Sequence, residues 1–330
     1  MAREIAGGKS EPVPAEHVAI HPRAGTVQLA LLAVIAAALL LAPQFLYPIF
    51  LMKLLAFGLF AAAFNLLLGY TGLLSFGHAT FFGGAAYFTA HAVKVWGWSP
   101  EAGIGLGVLG AAALGLVMGA VAIRRQGIYF AMVTLALSQM VFFLALQLKF
   151  TGGEDGIQAV PRGHLFGIFD LGNNLIMYYF VLAVFLAGFA LIHRTIHSPF
   201  GQVLKAIREN EPRAVSLGYK VDQYKLTAFV MSAALAGLAG GTKAIVFQLA
   251  SLTDITWQMS GEVVLMTLLG GLGTIFGPVV GAFLVVTLQN YLAGTQLPVT
   301  VVTGVIFVVC VLLFRRGIVG EIGALLKSKG

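Results

Sequence analysis

Long apolar stretches separated by short polar turns run through most of the sequence. A helix that crosses a bilayer needs about 20 mainly apolar residues. The stretches that come near this length are 26–43, 46–69, 72–93, 101–123, 127–149, 174–193, 225–248, 257–272, 275–293 and 298–314. The pattern predicts an all-α fold, a polytopic membrane helical bundle of about ten spans. Glycines interrupt 72–93 and 257–272, so these two stretches are candidates for re-entrant segments.

The composition supports a membrane protein. Hydrophobic residues make up 59% of the 330 residues and charged residues only 10%, whereas soluble domains carry about 25% charged residues. The formal net charge is +7, but the basic residues lie in short loops and near the termini, so we exclude nucleic acid as a partner. The chain has one cysteine, Cys310, and no soluble segment long enough to form a separate catalytic core.

The positions of lysine and arginine predict the orientation, because cytoplasmic loops are enriched in both. With ten spans and both ends inside, the basic clusters all fall on the cytoplasmic side: Arg124, Arg125, Arg194, Lys205, Arg208, Arg213, Lys220, Lys225, Arg315, Arg316, Lys327 and Lys329. Trp96, Trp98 and Trp257 then lie at the outer interface, where indole rings are favoured.

This topology divides the chain into three parts. They are a cytoplasmic N-terminal tail at 1–25, a transmembrane domain at 26–317 and a cytoplasmic C-terminal tail at 318–330. Within the transmembrane domain, 194–224 is predicted to be a cytoplasmic loop and 150–173 an external loop.

The cytoplasmic loop contains a predicted amphipathic helix. Ser198 suits the N-cap and Pro199 the first helical position, and Pro212 stops the helix. One face carries an apolar stripe and the charged residues project elsewhere: the stripe is Phe200, Val203, Leu204 and Ile207, and the polar side includes Arg208 and Glu209. Either the helix lies on lipid headgroups, or it docks into a cytoplasmic partner.

Glu154 and Asp155 stand near the beginning of the external loop, within T-G-G-E-D-G. Contact with an extracytoplasmic partner and a simple glycine-rich turn both fit this sequence. Two adjacent carboxylates without further spaced oxygen ligands make a poor calcium cage, so we predict no metal site.

Few ionisable residues interrupt the spans, and such residues are usually functional. Lys243 and Glu262 lie toward the outer ends of their spans, and we predict that they form an ion pair. The polar candidates for lining a translocation path are Asn65, Ser75, His78, Gln139, Glu262 and Asn290. A lone histidine such as His78 is more often a hydrogen-bonded packing residue than a gate. The spans contain no spaced series of Asp, Glu and His, which argues against a proton-driven carrier.

Glycines four residues apart recur in several spans and predict close helix packing. The sets are Gly103 with Gly107, Gly115 with Gly119, Gly237 with Gly241, and Gly273 with Gly277 and Gly281. The sequence shows no clustered nucleophile, base or metal ligands, which argues against a membrane-embedded enzyme.

Four motifs, in order, resemble the branched-chain amino-acid ABC importer permeases, specifically the M-type subunit. They are N-L-L-L-G-Y-T-G-L-L-S-F-G-H-A-T-F-F-G at 65–83, T-G-G-E-D-G-I at 151–157, G-Q-V-L-K-A-I-R-E-N-E-P-R-A at 201–214 and G-E-V-V-L-M-T-L-L-G-G-L-G-T-I-F-G-P-V-V-G-A at 261–282. The resemblance covers about residues 45 to 315. The strict E-A-A-x-x-x-G consensus of other importer families is absent from the sequence.

The resemblance implies a transmembrane permease subunit of an ATP-driven (ABC) importer for branched-chain or hydrophobic amino acids, located in the bacterial inner membrane. The implied partners are a homologous H-type permease subunit, two cytoplasmic ATPase subunits, a periplasmic or lipid-anchored solute-binding protein and a small-molecule solute. ATP hydrolysis is then expected on separate subunits, so we predict that this chain is not an enzyme and holds no cofactor.

The resemblance also assigns roles to the two loops. The loop 194–224 becomes the ATPase-coupling loop, with the six residues of its amphipathic helix named above, and Glu154 and Asp155 become candidates for contact with the binding protein. Two alternatives remain. One is an ABC permease for urea, short amides or another small solute, and the other, from a different class, is a stand-alone secondary carrier or channel. Neighbouring genes for an ATPase and a binding protein would favour the importer.

Overall fold

The computed structural model describes residues 39–294, 301, 302, 304, 305, 308, 309 and 317–321. The chain divides into two units, Met1–Ala42 and Pro43–Gly330, and the elements below belong to the second. The predicted tail at 1–25 lies outside the described residues. The predicted spans at 26–43 and 298–314 and the predicted tail at 318–330 lie largely outside them.

Helices dominate the described part of the chain and confirm the predicted all-α class. They are α1 (Pro48–Thr71), α2 (His78–Lys94), α3 (Pro100–Ala122), α4 (Ile128–Gln147), α5 (Asn174–His197), α6 (Pro199–Glu209), α7 (Glu211–Ser216), α8 (Val221–Phe247), α9 (Trp257–Gly270) and α10 (Gly277–Leu292). A helix therefore stands at each predicted span between residues 46 and 293.

The helices differ in whether they can cross a bilayer. Within the described residues, α1, α3, α4, α5 and α8 have the length and apolar composition to do so. Helix α9 has 14 residues, which at about 1.5 Å per residue gives about 21 Å, less than the hydrocarbon core of about 30 Å. The suggestion that 72–93 and 257–272 are re-entrant stays a prediction.

Helices α1 and α8 form the centre of the bundle. Helix α8 packs against α1, α2 and α3, and α1 also contacts α5, α9 and α10. Both are buried along most of their length, whereas α3, α4 and α5 leave much of their surface uncovered. That surface is apolar: Leu109 is 68% exposed and Val117 66% exposed. In a bilayer, such a face meets lipid tails of similar polarity.

Two short strand pairs lie at one end of the bundle. Strand β1 (Ile157–Gln158) pairs antiparallel with β4 (Leu249–Ala250), and β2 (His164–Leu165) pairs antiparallel with β3 (Phe169–Asp170). We call this the hairpin end. The opposite end carries α6 and α7, and we call it the α6 end.

The α6 segment folds as its sequence predicts. The Ser198 hydroxyl accepts a hydrogen bond from the amide of Gly201, with Pro199 at the first helical position. A cap of this kind contributes about 1 kcal/mol. The Asn210 side chain caps α7 in the same way, by accepting from the amide of Arg213. The first cap was predicted, and the second was missed although asparagine is a common N-cap.

The glycine pairs bring helices into close contact, which confirms the packing prediction. A methyl group added at Gly107 would lie 2.8 Å from the Ala85 carbonyl oxygen, and one added at Gly237 would lie 2.4 Å from the Ala111 Cβ. The tightest approach to α2 is at Gly240 of α8, where an added Cβ would lie 1.9 Å from the carbonyl oxygen of Phe82.

We expect Gly240→Ala to destabilise the protein by about 1–3 kcal/mol, because overpacking forces the helices apart. The matched control is Gly261→Ala in α9, where an added Cβ has no neighbour within 4 Å; there the change should be neutral or stabilise by up to about 1 kcal/mol. Unfolding in mild detergent measures both. Equal stabilities of the two variants would contradict the packing described for α2 and α8.

Candidate functional site

The apolar stripe of α6 faces the bundle. Leu204 and Ile207 are buried, and Val203 packs against the small cluster that Ile207 forms with neighbouring elements. The ring of Phe200 stacks on that of Tyr224 in α8, with 5.5 Å between centroids. The stripe predicted from the sequence therefore fixes α6 to the membrane helices, and its apolar side chains are turned away from any partner at this end.

Arg208 also contacts the bundle, a contact that the sequence did not predict, and its contact with a cytoplasmic partner stays a prediction. Its guanidinium Nη1 donates a hydrogen bond to the carbonyl oxygen of Gly69, in the last turn of α1. The last carbonyls of a helix have no partner within the helix and carry partial negative charge. They therefore attract a nearby cation. Arg208 and Glu209 are both exposed, so Arg208 makes this bond at the surface of the bundle.

A second cation of α6 lies over the same end of α1. The Lys205 ammonium lies 5.7 Å from the centroid of the Tyr70 ring, within the range of a cation–π contact. We call Lys205 and Arg208, with Gly69 and Tyr70, the α6 latch.

The α6 latch adjoins the connector between α9 and α10. A Cβ added at Gly273 would lie 3.1 Å from Arg208 Nη1 and 3.3 Å from the Gly69 carbonyl oxygen. One turn before Gly69, the Asn65 amide donates to the Thr274 carbonyl oxygen at 2.9 Å and accepts from the Gly273 amide at 3.1 Å. Three segments that are distant in sequence thus meet at one point: α6, the end of α1 and the connector at 271–276.

Asn65 holds this connector with both sides of its amide and is only 2% exposed. Loss of these partners would lower the stability of the fold by about 1–3 kcal/mol for each buried polar group left unsatisfied. The contribution of Asn65 to a translocation path stays a prediction.

Two other path candidates, Ser75 and His78, are fully buried at the beginning of α2. His78 Nε2 lies 2.8 Å from the Ser232 hydroxyl, which itself donates to the Ala63 carbonyl oxygen. The imidazole lies among aromatic rings, including that of Phe64 at 5.1 Å. These contacts agree with the interpretation of His78 as a hydrogen-bonded packing residue.

Hydroxyl groups from two further helices, α4 and α9, meet the beginning of α2. Thr134 accepts from the amide of Phe76, Ser260 accepts from the amide of Ala79, and Thr80 donates to Ser138. Thr134, Ser138, Ser232 and Ser260 were not predicted, because each lies in a largely apolar helix and belongs to no motif that marks it. Their position inside apolar spans was the available signal, since such hydroxyls commonly bond between membrane helices.

The remaining path candidates lie elsewhere. Gln139 on α4 and Glu262 on α9 are half-buried, and Asn290 on α10 is exposed. Glu262 is hydrogen-bonded by Gln289 and interacts electrostatically with Lys53.

The predicted ion pair between Lys243 and Glu262 is wrong. The Lys243 ammonium lies 2.6 Å from the Asp254 carboxylate, and both side chains are at most 10% exposed. Asp254 lies in a 3₁₀ turn, Leu252–Asp254, which folds back over the end of α8. The prediction considered only charges within the spans, whereas the partner lies in the loop just beyond.

Glu154 and Asp155 are exposed at the hairpin end, on a 3₁₀ turn. Their loop is tied down by the β1–β4 pairing and by Arg162, whose guanidinium donates to the Val246 carbonyl oxygen and to the Asn174 side chain. The two carboxylates therefore stand on a fixed platform. Within the described residues, no group of three or more His, Cys, Asp or Glu side chains is placed to hold a metal ion.

Comparisons with known proteins bear on this arrangement. Residues 46–314 match the family described as "Branched-chain amino acid transport system / permease component". The chain is 32% identical over 250 residues to the high-affinity branched-chain amino acid transport system permease protein LivM of Escherichia coli, covering 67% of this chain and 58% of that protein. No solved structure matches.

Two further relatives differ in the solute or subunit that their names state. The ribose import permease protein RbsC of Bacillus subtilis is 29% identical over 202 residues, covering 54% of this chain and 58% of that protein. The probable branched-chain amino acid transport permease protein LivH of Methanocaldococcus jannaschii is 29% identical over 121 residues, covering 36% and 37%. The chain spans 58% of the length of LivM. With 269 consecutive residues matched, it belongs to the family of branched-chain amino acid transport permease components and is a multi-pass membrane protein.

Proposed function

We propose that the chain is the transmembrane permease subunit of an ATP-driven importer for branched-chain or related hydrophobic amino acids. The likeness to LivM supports the solute class. The observation that carries the mechanism is the α6 latch, which joins an amphipathic helix at one end of the bundle to the end of α1 and to the α9–α10 connector.

We propose that the α6 end is cytoplasmic and meets the ATPase subunits. The turn around Arg124 and Arg125 lies at this end, because Gln126 hydrogen-bonds Glu211 of α7 at 3.1 Å. Glu211 also pairs with Lys225 at 2.7 Å. A concentration of basic residues at one end supports a cytoplasmic location.

The surface proposed to contact an ATPase is the tip formed by α7 and the turn after it. The apolar stripe of α6 packs against the bundle and is not available to a partner. Val215 and Leu217, by contrast, are 57% and 67% exposed. Exposed apolar side chains beside charged ones are typical of protein interfaces, and Glu209 and Arg213 supply the charges. ATP-driven closure of the ATPase pair would press on this tip, and the α6 latch would carry the displacement to the α9–α10 connector.

The other proposed partners follow from the family. A homologous H-type permease would complete the translocation path, and a solute-binding protein would dock at the hairpin end, where Glu154 and Asp155 are exposed. The proposed location is the bacterial inner membrane, with ATP hydrolysis on the separate ATPase subunits.

The proposed orientation predicts the labelling of single cysteines by an impermeant thiol reagent. In a Cys310→Ser background, Glu154→Cys should react from outside intact spheroplasts, and Ser216→Cys should react only after the membrane is opened. Both positions are exposed in the structure, so the protein itself hinders the reagent at neither of them. Labelling of position 216 from outside intact spheroplasts would show that the proposed orientation is the wrong way round.

The solute class is tested by uptake into proteoliposomes that contain the chain with its H-type, ATPase and binding-protein partners. Labelled leucine should accumulate, and unlabelled valine and isoleucine should compete with it, whereas ribose and urea should not. Accumulation of ribose or urea instead of leucine would refute the proposed solute.

A further inference from the structure

The second strand pair at the hairpin end is a tight β-hairpin with an apolar tip. Leu165 pairs with Phe169, and the Ile168 amide donates to the Leu165 carbonyl oxygen at 3.0 Å. The two central residues both have positive φ, 51° at Phe166 and 73° at Gly167. Positive φ at both central positions is the pattern of a type I′ turn and favours glycine there. Ile168 is an additional loop residue between this turn and the pair Leu165–Phe169.

The tip of the hairpin is exposed and carries no charge. Phe166 is 70% exposed, Ile168 is 76% exposed and Phe169 is 52% exposed. Asp170, the nearest acidic residue along the chain, turns back and accepts a hydrogen bond from the Gly172 amide at 2.8 Å. Three large apolar side chains at one tip are unfavourable in water, because the free-energy cost grows with the apolar surface exposed.

The hairpin is fixed at the level where a membrane helix begins. The Phe166 amide donates to the Glu101 carboxylate at 3.3 Å, and a Cβ added at Gly163 would lie 3.3 Å from the Pro100 ring. Pro100 and Glu101 form the first turn of α3, a 23-residue helix with the length and composition of a span. The first turn of such a helix lies at the boundary between headgroups and hydrocarbon.

Two tryptophans mark the same level. Trp96 and Trp98 lie in the short link between α2 and α3, are 50% and 46% exposed, and have ring centroids 5.3 Å apart. Tryptophan is enriched at the interface between membrane and water. The apolar hairpin tip and the tryptophan pair thus stand beside one helix terminus, at the depth where aromatic and apolar side chains contact lipid headgroups.

We propose that the β2–β3 hairpin is an interfacial membrane anchor, with Phe166, Ile168 and Phe169 inserted among the headgroups and upper acyl chains of the adjacent leaflet. It contacts the first turn of α3, a helix with an exposed apolar surface, and its apolar tip suits lipid better than the polar rim of a soluble partner. Anchoring at this point would hold the platform of Glu154 and Asp155 at a fixed height above the bilayer. The inference is independent of the transported solute and of which side of the membrane the hairpin end faces.

Environment-sensitive labels on single cysteines test the anchor in the full-length chain in lipid nanodiscs. In the Cys310→Ser background, an NBD label on Ile168→Cys should show blue-shifted emission and strong quenching by lipids with a nitroxide near the top of the acyl chain. The control is Glu154→Cys, at the same end and also exposed, where the label should emit as in water and be quenched weakly.

A smaller spin label at the same two positions guards against a label that pulls the site into the bilayer. At position 168 the spin label should be more accessible to oxygen than to a water-soluble nickel chelate. At position 154 it should be more accessible to the nickel chelate. Equal, water-like signals at both positions would overturn the proposal. So would a blue shift at position 168 that appears only after a soluble binding protein is added, because the tip would then be a protein-docking surface.

Discussion

Arg208→Ala is expected to lower the amount of leucine transported per ATP hydrolysed by about tenfold or more in the reconstituted importer. The substitution removes a charge-assisted hydrogen bond to Gly69, and such bonds contribute about 1.5–3 kcal/mol, where 1.4 kcal/mol corresponds to a tenfold change. Because α6 keeps its apolar contacts and α7 keeps its tip, the ATPase should still bind and hydrolyse ATP. Uptake and hydrolysis, measured in the same vesicles, give the ratio.

Two variants control for this experiment. Arg208→Lys keeps the positive charge but lacks the planar guanidinium, so it should retain part of the coupling. Arg194→Ala removes an exposed cation at the same end of the bundle and should leave the ratio unchanged. An equal loss of coupling in Arg194→Ala would mean that the positive charge of this surface, and not the α6 latch, is needed for coupling. A loss of ATPase binding in Arg208→Ala would point to a direct contact with the ATPase, in place of the α6 latch.

The largest expected effect on stability comes from the buried pair Lys243–Asp254. Removing one partner of a buried ion pair leaves an uncompensated charge and costs about 3–5 kcal/mol. We expect a loss of this size for Lys243→Met and for Asp254→Asn separately. The double variant should lose clearly less than the sum, because each single change already abolishes the same interaction. Unfolding with increasing denaturant in detergent measures all three.

A second cycle, of Lys243→Met with Glu262→Gln, serves as the matched control. Glu262 interacts with Gln289 and Lys53, and Lys53 also interacts with Lys243. The coupling of Lys243 to Glu262 should therefore be indirect and clearly smaller than its coupling to Asp254. The structure would be contradicted if Lys243 coupled strongly to Glu262 and the losses of Lys243→Met and Asp254→Asn were additive. That result would favour the ion pair predicted from the sequence.

The local features of the α6 segment could be predicted because their signals lie within a few residues of one another. The Ser198 cap, Pro199 and the apolar stripe all depend on spacings of one to four residues, and each is observed. The direction of Arg208 could not be predicted in this way. Its partner, Gly69, lies 139 residues earlier in the chain, and helical periodicity places a side chain on a face without identifying the surface that the face meets.

The same limit applies to the glycine-rich motifs. Both were identified, at 65–83 and 261–282, but their contact through Asn65 joins residues about 208 positions apart, and nothing within either motif specifies the other. The partner of Lys243 is a different case. Asp254 is only 11 residues away and could have been found if loop carboxylates had been considered together with charges in the spans.

The most direct test of the proposed function is whether leucine uptake by the reconstituted complex depends on ATP. Vesicles that contain this chain, its H-type partner and the ATPase pair, supplied with the binding protein on one side and ATP on the other, should accumulate leucine against its gradient. Replacement of ATP by a non-hydrolysable analogue should abolish this accumulation. Equal uptake without hydrolysable ATP would contradict the account and favour a stand-alone carrier or channel.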